Sequence, residues 1–356
     1  MPYIKKYVSI TQAGENPAPT LRRCVMKKKK RLIALTAAVL LLAAICAGCA
    51  KTETVEIHNP EDYIQPQDGE LVALAMEMVP LTASPAMFSV RSPSAPGTKV
   101  NSNQKATIDY TNAADGYIMI KYLQSTTKPL KVLIKGPSEV QYQYSLKSNG
   151  DYEVYPLSDG NGSYTIGVYE QIEGSRYAAQ LSATISVTLN DEFAPFLRPN
   201  QYVNFNSNSK VVSKAAELCT GVTDFTGKVS AVYNFVISNF TYDKQQAATV
   251  QSGYLPDLDA VLARSKGICF DYAAVMTAML RSQDIPTKLV VGYAGEVYHA
   301  WINVYSEATG WVNSAIYFDG KDWKLMDPTF ASTGNQSASV MQYIGDGKNY
   351  TARYLY

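Results

Sequence analysis

The sequence predicts an α+β protein in which a small all-β domain precedes a domain of helices packed on an antiparallel sheet. Over residues 107–192, short alternations of apolar and polar residues recur, with Gly, Asn and Asp turn signals between them. That pattern is typical of a small β-sandwich. After about residue 210 the apolar period becomes helical, over Val211–Leu218 and Gly227–Asn239. A helical run at Val275–Arg281 is then followed by alternating strands.

The β-region alternates most clearly at Tyr164–Tyr169 and Ala183–Leu189. Gly162–Ile166 resembles the late strand of immunoglobulin-like extracellular modules, so an immunoglobulin-like sandwich is expected. Such a domain is either a ligand-binding module or a spacer that packs against its neighbour. The residues favour the second interpretation, because no binding site can be named in this region.

A linker over 193–209, with two prolines, joins the β-region to the helical region. The first long helix then carries an apolar stripe at helical spacing, which predicts a core-facing surface. The stripe consists of Val229, Val232, Tyr233, Val236 and Ile237.

An export leader is predicted at 26–49. A basic run, Met26–Arg31, precedes an apolar stretch of about 14 residues, too short for the roughly 20 that a permanent membrane helix needs. The segment 1–25 is polar and precedes this better start, so we interpret it as a mis-annotated start.

The leader ends in small residues before Cys49, which resembles a bacterial lipobox, although Cys46 stands where an aliphatic residue is usual. The resemblance implies that Cys49 carries lipid and anchors the chain to the cell membrane on its extracytoplasmic face. The alternatives are plain secretion, if Cys49 is not lipidated, and a retained transmembrane anchor. Residues 50–106, rich in Pro and Ser, are predicted to form a flexible or extended tether.

The mature chain is mildly acidic. Nine of the 32 basic residues and one of the 31 acidic residues precede Cys49, so 23 basic and 30 acidic residues follow, a net charge of −7. This composition argues against nucleic acid as a partner, because nucleic-acid binding needs a basic surface. Beyond the leader and Cys49, only Cys219 and Cys269 remain. We expect them to lie apart, with Cys219 buried as a small apolar residue in a helix.

Cys269 is the candidate nucleophile. It stands at or just before the start of a helix, where unpaired amides and the helix dipole favour negative charge and make a thiol a better nucleophile. Gly267 is expected to let the chain turn sharply into that helix. On its own, the cysteine is equally compatible with an apolar residue at the start of a core helix.

His299 and Asp327 are the candidate partners of Cys269. Besides His299, the chain has only His58, which lies in the predicted tether, so His299 is the only credible imidazole base. Asp327 ends a predicted strand before a proline, where it can orient a histidine on a neighbouring strand. An Asp-Pro turn starter is the simpler explanation of the same residue.

Three motifs in order resemble the transglutaminase-like superfamily. They are Gly-x-Cys-x-Asp-Tyr-Ala at 267–273, His-Ala-Trp at 299–301 and Trp-x-x-x-Asp-Pro-Thr at 323–329. The resemblance covers residues 210–356 and implies a papain-like core with a Cys269–His299–Asp327 catalytic triad. It also implies that Tyr242 is a candidate second donor to the oxyanion, beside the Cys269 backbone N–H. Asp271 is expected to cap the helix start or bond a backbone amide.

The resemblance implies a cell-surface thiol hydrolase that cleaves peptide or isopeptide amide bonds through an acyl-enzyme. Its partner is a protein or peptide substrate, with cell-wall peptides among the candidates. No calcium-loop pattern, metal site or cofactor is expected. The alternatives are a crosslinking transglutaminase and a non-catalytic adhesion or assembly module that keeps the fold. A hairpin over Ala315–Asp322 is expected to bring the histidine and aspartate strands together, and the tail 332–356 to cover the site or pack beside it.

Overall fold

A computed structural model describes residues 53–57, 89–312, 316–318, 323–325, 329 and 350–356. The leader, Cys49, His58 and Asp327 lie outside the described residues, as does most of the tail.

The N-terminal part consists of two antiparallel sheets. Their strand orders are β1-β9-β8-β5-β6 and β2-β3-β4-β7. The strands are β1 (Thr54–Glu56), β2 (Val100–Ser102), β3 (Ala106–Asp109), β4 (Tyr117–Tyr122), β5 (Leu130–Lys135), β6 (Gln141–Leu146), β7 (Glu153–Pro156), β8 (Gly162–Glu173) and β9 (Arg176–Val187).

The period-2 pattern explains how these sheets bury their inner faces. Along β6, Tyr142, Tyr144 and Leu146 are buried while the residues between them are more exposed. Ile120 of one sheet and Val132 of the other are fully buried in the same apolar cluster. The predicted all-β region is therefore present as two sheets with a shared core. Its immunoglobulin-like character stays a prediction.

The predicted tether over 50–106 needs correction wherever the structure describes it. Thr54–Glu56 pairs antiparallel with the edge of β9. Further along, the Gly97 backbone N–H donates to Asp109 Oδ2 at 2.7 Å, and Ser89 N–H donates to the Ser282 carbonyl at 2.8 Å. Pro- and Ser-rich composition favours an extended chain, but an extended chain also presents N–H and C=O groups that can pair with a sheet edge.

The C-terminal part contains five α-helices among the described residues. They are α1 (Lys210–Leu218), α2 (Phe225–Asn239), α3 (Lys244–Thr249), α4 (Leu258–Arg264) and α5 (Cys269–Ser282). The predicted first two helices are confirmed, and Val229, Val232, Tyr233 and Val236 of the apolar stripe are buried, with Ile237 half-buried.

The remaining strands form three sheets. Two short strands, β10 (Thr241–Tyr242) and β11 (Lys266–Gly267), pair in parallel. The main sheet has the order β14-β13-β12-β17, and β15 and β16 form a separate two-stranded sheet. These strands are β12 (Thr287–Ala294), β13 (Val297–Ser306), β14 (Gly310–Val312), β15 (Ile316–Phe318), β16 (Trp323–Leu325) and β17 (Tyr350–Leu355). Helix α5 is buried from Asp271 to Ser282 and packs on β12 and β13.

Tyrosines join the two parts of the chain. The ring of Tyr142 on β6 lies 5.7 Å from that of Tyr354 and 5.7 Å from that of Tyr356, both near the C-terminal strand. Tyr202, from the predicted linker, lies 4.3 Å from Tyr356 and 5.7 Å from Phe270, the residue after Cys269. The β-sheets therefore pack directly against the part of the chain that holds the candidate nucleophile, as expected of a packing partner.

Candidate active site

Cys269 is the first residue of helix α5 and is partly exposed. The preceding residue, Ile268, has extended backbone angles of φ −97° and ψ 177°, so the helix begins abruptly after it. The free amides of a first helical turn favour negative charge, and Cys269 lies among them. The predicted position of this cysteine at a helix start is confirmed.

The chain reaches Cys269 through the parallel pair β10–β11. Tyr242 pairs with Gly267, and the Asp243 backbone N–H donates to the Gly267 carbonyl at 2.8 Å. The predicted reason for Gly267 needs correction, because Gly267 does not have positive φ. Instead, a Cβ at Gly267 would lie 2.6 Å from the Cβ of Asp271, so only glycine leaves room for that side chain.

His299 lies on β13, directly across from Gly292 on β12, and is 5% exposed. Its ring lies 6.2 Å from the Trp301 ring at an interplanar angle of 22°, and 6.3 Å from the Tyr350 ring. The imidazole is thus held among aromatic rings on a central strand, where its freedom to reorient is small. The C-terminal strand β17, which carries Tyr350, was not predicted as an element.

Cys269, His299 and Tyr242 line one cavity of about 50 Å³. No Asp, Glu, Lys or Arg is among the described residues that line this cavity, and its titratable side chains are those of Cys, His and Tyr. The lining consists of Tyr202, Tyr242, Ala247, Val250, Gln251, Tyr254, Ile268, Cys269, Phe270, Val291, Tyr298, His299, Ala300 and Tyr356. An imidazole and a thiol beside an apolar, partly enclosed cavity are the elements that nucleophilic catalysis by cysteine requires.

A hairpin is present between the histidine and aspartate motifs, but the prediction that it pairs the histidine strand with the strand before Asp327 is wrong among the described strands. Ile316–Phe318 pairs antiparallel with Trp323–Leu325. Among the described strands, this pair is not hydrogen-bonded to the sheet that carries His299. The structure therefore brings Cys269 and His299 to one cavity, while the place of Asp327 stays a prediction.

The expected role of Asp271 at the helix start is confirmed, because its carboxylate accepts the Ile268 backbone N–H at 2.9 Å. Burial raises the pKa of Asp271, against the lowering effect of the Tyr254 hydroxyl and the Ile268 N–H. Sequence reasoning missed Tyr254, which bonds Asp271 and lines the cavity. It lies in an irregular segment before α4, where no periodic pattern marks it.

Cys219 is fully buried at the end of α1, and burial raises the pKa of its thiol to about 11. Both Cys219 and Cys269 are free, so the expectation that they do not form a disulfide is confirmed. Among the described residues, no group of three or more His, Cys, Asp or Glu side chains is placed to hold a metal ion. Within that same part of the chain, no helix is both long and apolar enough to cross a membrane.

Residues 212–328 match the core domain of the transglutaminase-like superfamily, which includes cysteine proteases and transglutaminases. The chain therefore carries a transglutaminase-like core domain, and the predicted fold of mixed helices and antiparallel sheets is confirmed.

Among curated proteins, the chain is 26% identical over 195 residues to the uncharacterized protein YebA of Bacillus subtilis. The alignment covers 47% of this chain but only 26% of YebA, so the chain spans about a quarter of that relative.

Among solved structures, a candidate cysteine protease from Cytophaga hutchinsonii is 18% identical with a TM-score of 0.32, covering 60% of this chain and 74% of that one. The periplasmic domain of TgpA from Pseudomonas aeruginosa is 16% identical with a TM-score of 0.31, covering 69% and 80%. Red sea bream transglutaminase is 16% identical with a TM-score of 0.24, covering 60% and 48%.

Proposed function

We propose that this protein is a thiol hydrolase that cleaves peptide or isopeptide amide bonds through an acyl-enzyme on Cys269. The observation that carries the proposal is that Cys269, at a helix N-terminus, and His299 line the same apolar cavity. A thiol at a helix start is activated by the local field, and a neighbouring imidazole supplies the base that acyl transfer needs.

In the proposed reaction the Cys269 sulfur bonds to the carbonyl carbon of the substrate as its proton passes to His299. His299 then protonates the leaving nitrogen, the C–N bond breaks and a thioester remains. Water, deprotonated by His299, attacks the thioester and releases the acid, and the thiol regains its proton. No cofactor enters this scheme.

Asp327 completes the proposed triad by orienting the His299 ring and stabilising the imidazolium. This role rests on the sequence motif, because Asp327 lies outside the described residues. The proposed oxyanion donors are the Cys269 backbone N–H and the Tyr242 hydroxyl, since Tyr242 borders the cavity on the strand paired with Gly267. Loss of one such donor typically lowers kcat by about 10²–10³-fold, so Tyr242→Phe tests that assignment.

The same thioester could be passed to a lysine amine, which would make the protein a crosslinking transglutaminase. Water and amine differ only as acceptors, so both outcomes use the same three residues. We propose hydrolysis as the main activity, with extracytoplasmic attachment to the cell membrane through lipid on Cys49. The substrate is a protein or peptide, and cell-wall peptides are candidates.

The experiment uses residues 50–356 with casein, a peptide library, cell-wall fragments and a labelled primary amine. We expect release of new amino groups that is abolished by Cys269→Ala and strongly reduced by His299→Ala and Asp327→Asn. Cys219→Ala is the matched control, because Cys219 is buried away from the cavity, and it should keep activity.

Amine incorporation without release of amino groups would instead identify a crosslinking enzyme. If the folded protein neither cleaves nor modifies any of these substrates in a Cys269-dependent way, the hydrolase proposal fails. The non-catalytic adhesion or assembly module would then be the better account.

A further inference from the structure

Asp271 is a fully buried carboxylate two residues after Cys269. It accepts three hydrogen bonds, from the Ile268 backbone N–H at 2.9 Å, the Tyr254 hydroxyl at 2.6 Å and Gln246 Nε2 at 3.1 Å. A buried charge is expensive unless it is paired and hydrogen-bonded. The number of these bonds therefore indicates that the carboxylate is held in one position.

Arg264 supplies the opposite charge. Its Nη2 lies 3.5 Å from Asp271 Oδ2, and the same nitrogen donates to Gln246 Oε1 at 3.4 Å. Arg264 Nε donates to the Lys266 carbonyl at 2.6 Å, just before the glycine that leads into the cysteine helix. The four side chains thus form a closed network behind the start of α5.

One of the partners lines the Cys269 cavity, and a second lies next to a residue that lines it. Tyr254 lines the cavity itself, and Gln246 lies on α3 next to Ala247, which also lines it. Val250 and Gln251 continue the same wall. We define this wall as the 244–254 segment. Asp271 does not line the cavity. Its hydrogen bonds connect this segment to helix α5, which begins with Cys269.

The backbone before Cys269 is shaped around the same carboxylate. A Cβ added to Gly267 would lie 2.6 Å from both Cβ and Oδ2 of Asp271. Real Cβ atoms do not approach other atoms so closely. The backbone at Gly267 therefore packs directly against the Asp271 side chain, with no space for a larger residue.

We propose that Asp271 is a positioning residue, whose buried carboxylate fixes the 244–254 segment relative to the Cys269 thiol and backbone N–H. The effect of Asp271 on catalysis rests on the proposed function, whereas its effect on the position of the 244–254 segment does not. A carboxylate suits this place because it only accepts hydrogen bonds and every partner donates. Asparagine would turn an NH₂ group toward one of the donors, and glutamate would need space that Gly267 does not leave.

The test compares Asp271→Asn with wild type by amide hydrogen exchange and by the rate at which iodoacetamide alkylates Cys269. Because hydrogen bonds to a charged group are among the stronger ones in proteins, we expect exchange over residues 244–254 to rise by about tenfold or more. We also expect alkylation to slow by about tenfold, while exchange in the β-sheets is unchanged. A merely structural role would lower the melting temperature without this localised pattern.

Asp224→Asn is the matched control, since Asp224 caps α2 by accepting the Gly227 N–H at 2.7 Å and does not line the cavity. It should leave both the 244–254 exchange and the Cys269 rate unchanged. Tyr254→Phe removes one partner and keeps the ring. In a double-mutant cycle, Asp271→Asn with Tyr254→Phe should be less damaging than the sum of the two single changes, because both remove the same bond.

A folded Asp271→Asn variant with wild-type exchange over 244–254 and a wild-type Cys269 rate would overturn the proposal. If that variant does not fold, Tyr254→Phe decides, and unchanged exchange in the segment would overturn it equally. An unreactive Cys269 in the wild type would instead end the proposed hydrolase function and leave the exchange comparison valid.

Discussion

At the scale of single residues, two cysteines occupy opposite environments. Cys269 is partly exposed at a helix start, whereas Cys219 is fully buried and its thiol pKa is raised to about 11 by burial. Because the charged thiolate is the reactive form, these environments favour Cys269 over the buried Cys219 as the candidate nucleophile. The sequence predicted both roles, since one cysteine follows a glycine at a helix start and the other lies in a helical run.

The buried thiol gives a prediction about pH. A thiol whose pKa is raised stays protonated until pH approaches that raised value, so Cys219 in the folded protein should resist iodoacetamide at about pH 8.5. In urea it should react like an ordinary thiol, because unfolding removes the burial. Mass spectrometry of the labelled peptides checks this, and rapid labelling of Cys219 in the folded protein would contradict its buried position.

The residues that sequence reasoning missed are those defined by distant partners. Cys269 and His299 belong to short local motifs, so they could be identified directly. Tyr254 gains its role only by meeting Asp271, 17 residues away in sequence. Arg281 was assigned only to a helix, and no local pattern shows that it bonds the carbonyls of Arg198 and Tyr356.

At the scale of elements, the C-terminal strand β17 was the least predictable. It lies beside β12 and covers the edge of the main sheet, with a register shift between Val291 and Gly292. A Cβ at Gly292 would collide with the Thr351 carbonyl and come within 2.9 Å of the Trp301 ring. The absence of a side chain at Gly292 therefore permits β17 to pack closely against β12, the strand paired with the His299 strand β13. A short Tyr-rich segment cannot reveal such non-local pairing by its own pattern.

We expect Gly292→Ala to destabilise the protein by about 1–3 kcal/mol, the usual range for overpacking. The loss should appear as a lower urea midpoint and as faster hydrogen exchange in Tyr350–Leu355. Gly253→Ala is a useful comparison: Gly253 has φ of +83° but no atom within 4 Å of an added Cβ. It should cost only about 1 kcal/mol, for the left-handed backbone. Wild-type stability of Gly292→Ala would contradict the close approach of β17.

At the scale of the whole molecule, Arg281 joins helix α5 to three other parts of the chain. It is 1% exposed and donates to the carbonyls of Thr287, Arg198 and Tyr356 at 2.6–2.9 Å. Burial lowers its pKa, and these oxygens replace the water that a guanidinium otherwise needs. The residue thus links the end of α5 to β12, to the predicted linker and to the end of the chain.

Arg281→Lys should lower the free energy of unfolding by about 3–5 kcal/mol, because an ammonium cannot reach all these oxygens and leaves buried carbonyls unpaired. Urea unfolding, followed by tryptophan fluorescence and by far-UV circular dichroism, measures the change. Arg176→Met, at an exposed site on β9, is the control and should shift stability by no more than about 0.5 kcal/mol. Equal effects of the two changes would contradict the linking role of Arg281.

The packing of the β-region against the C-terminal part of the chain explains why this region was harder to interpret from sequence than the three motifs. Alternation predicted strands at Tyr164–Tyr169 and Ala183–Leu189, which lie within β8 and β9, but it did not identify β6, which carries Tyr142 and Tyr144. Their contact with Tyr356 depends on how the two parts of the chain pack. Likewise, the Pro-rich segment before the β-region gave no local indication that Thr54–Glu56 would pair with β9.

The central claim is that His299 activates Cys269, and alkylation of Cys269 tests it most directly. Iodoacetamide is applied to residues 50–356 at about pH 6 and about pH 8.5, with wild type compared with His299→Ala. We expect wild-type Cys269 at the lower pH to react at least about tenfold faster than a free thiol, and His299→Ala to lose that advantage. A Cys269 that reacts no faster than a free thiol, with the same rate in His299→Ala, would contradict the account.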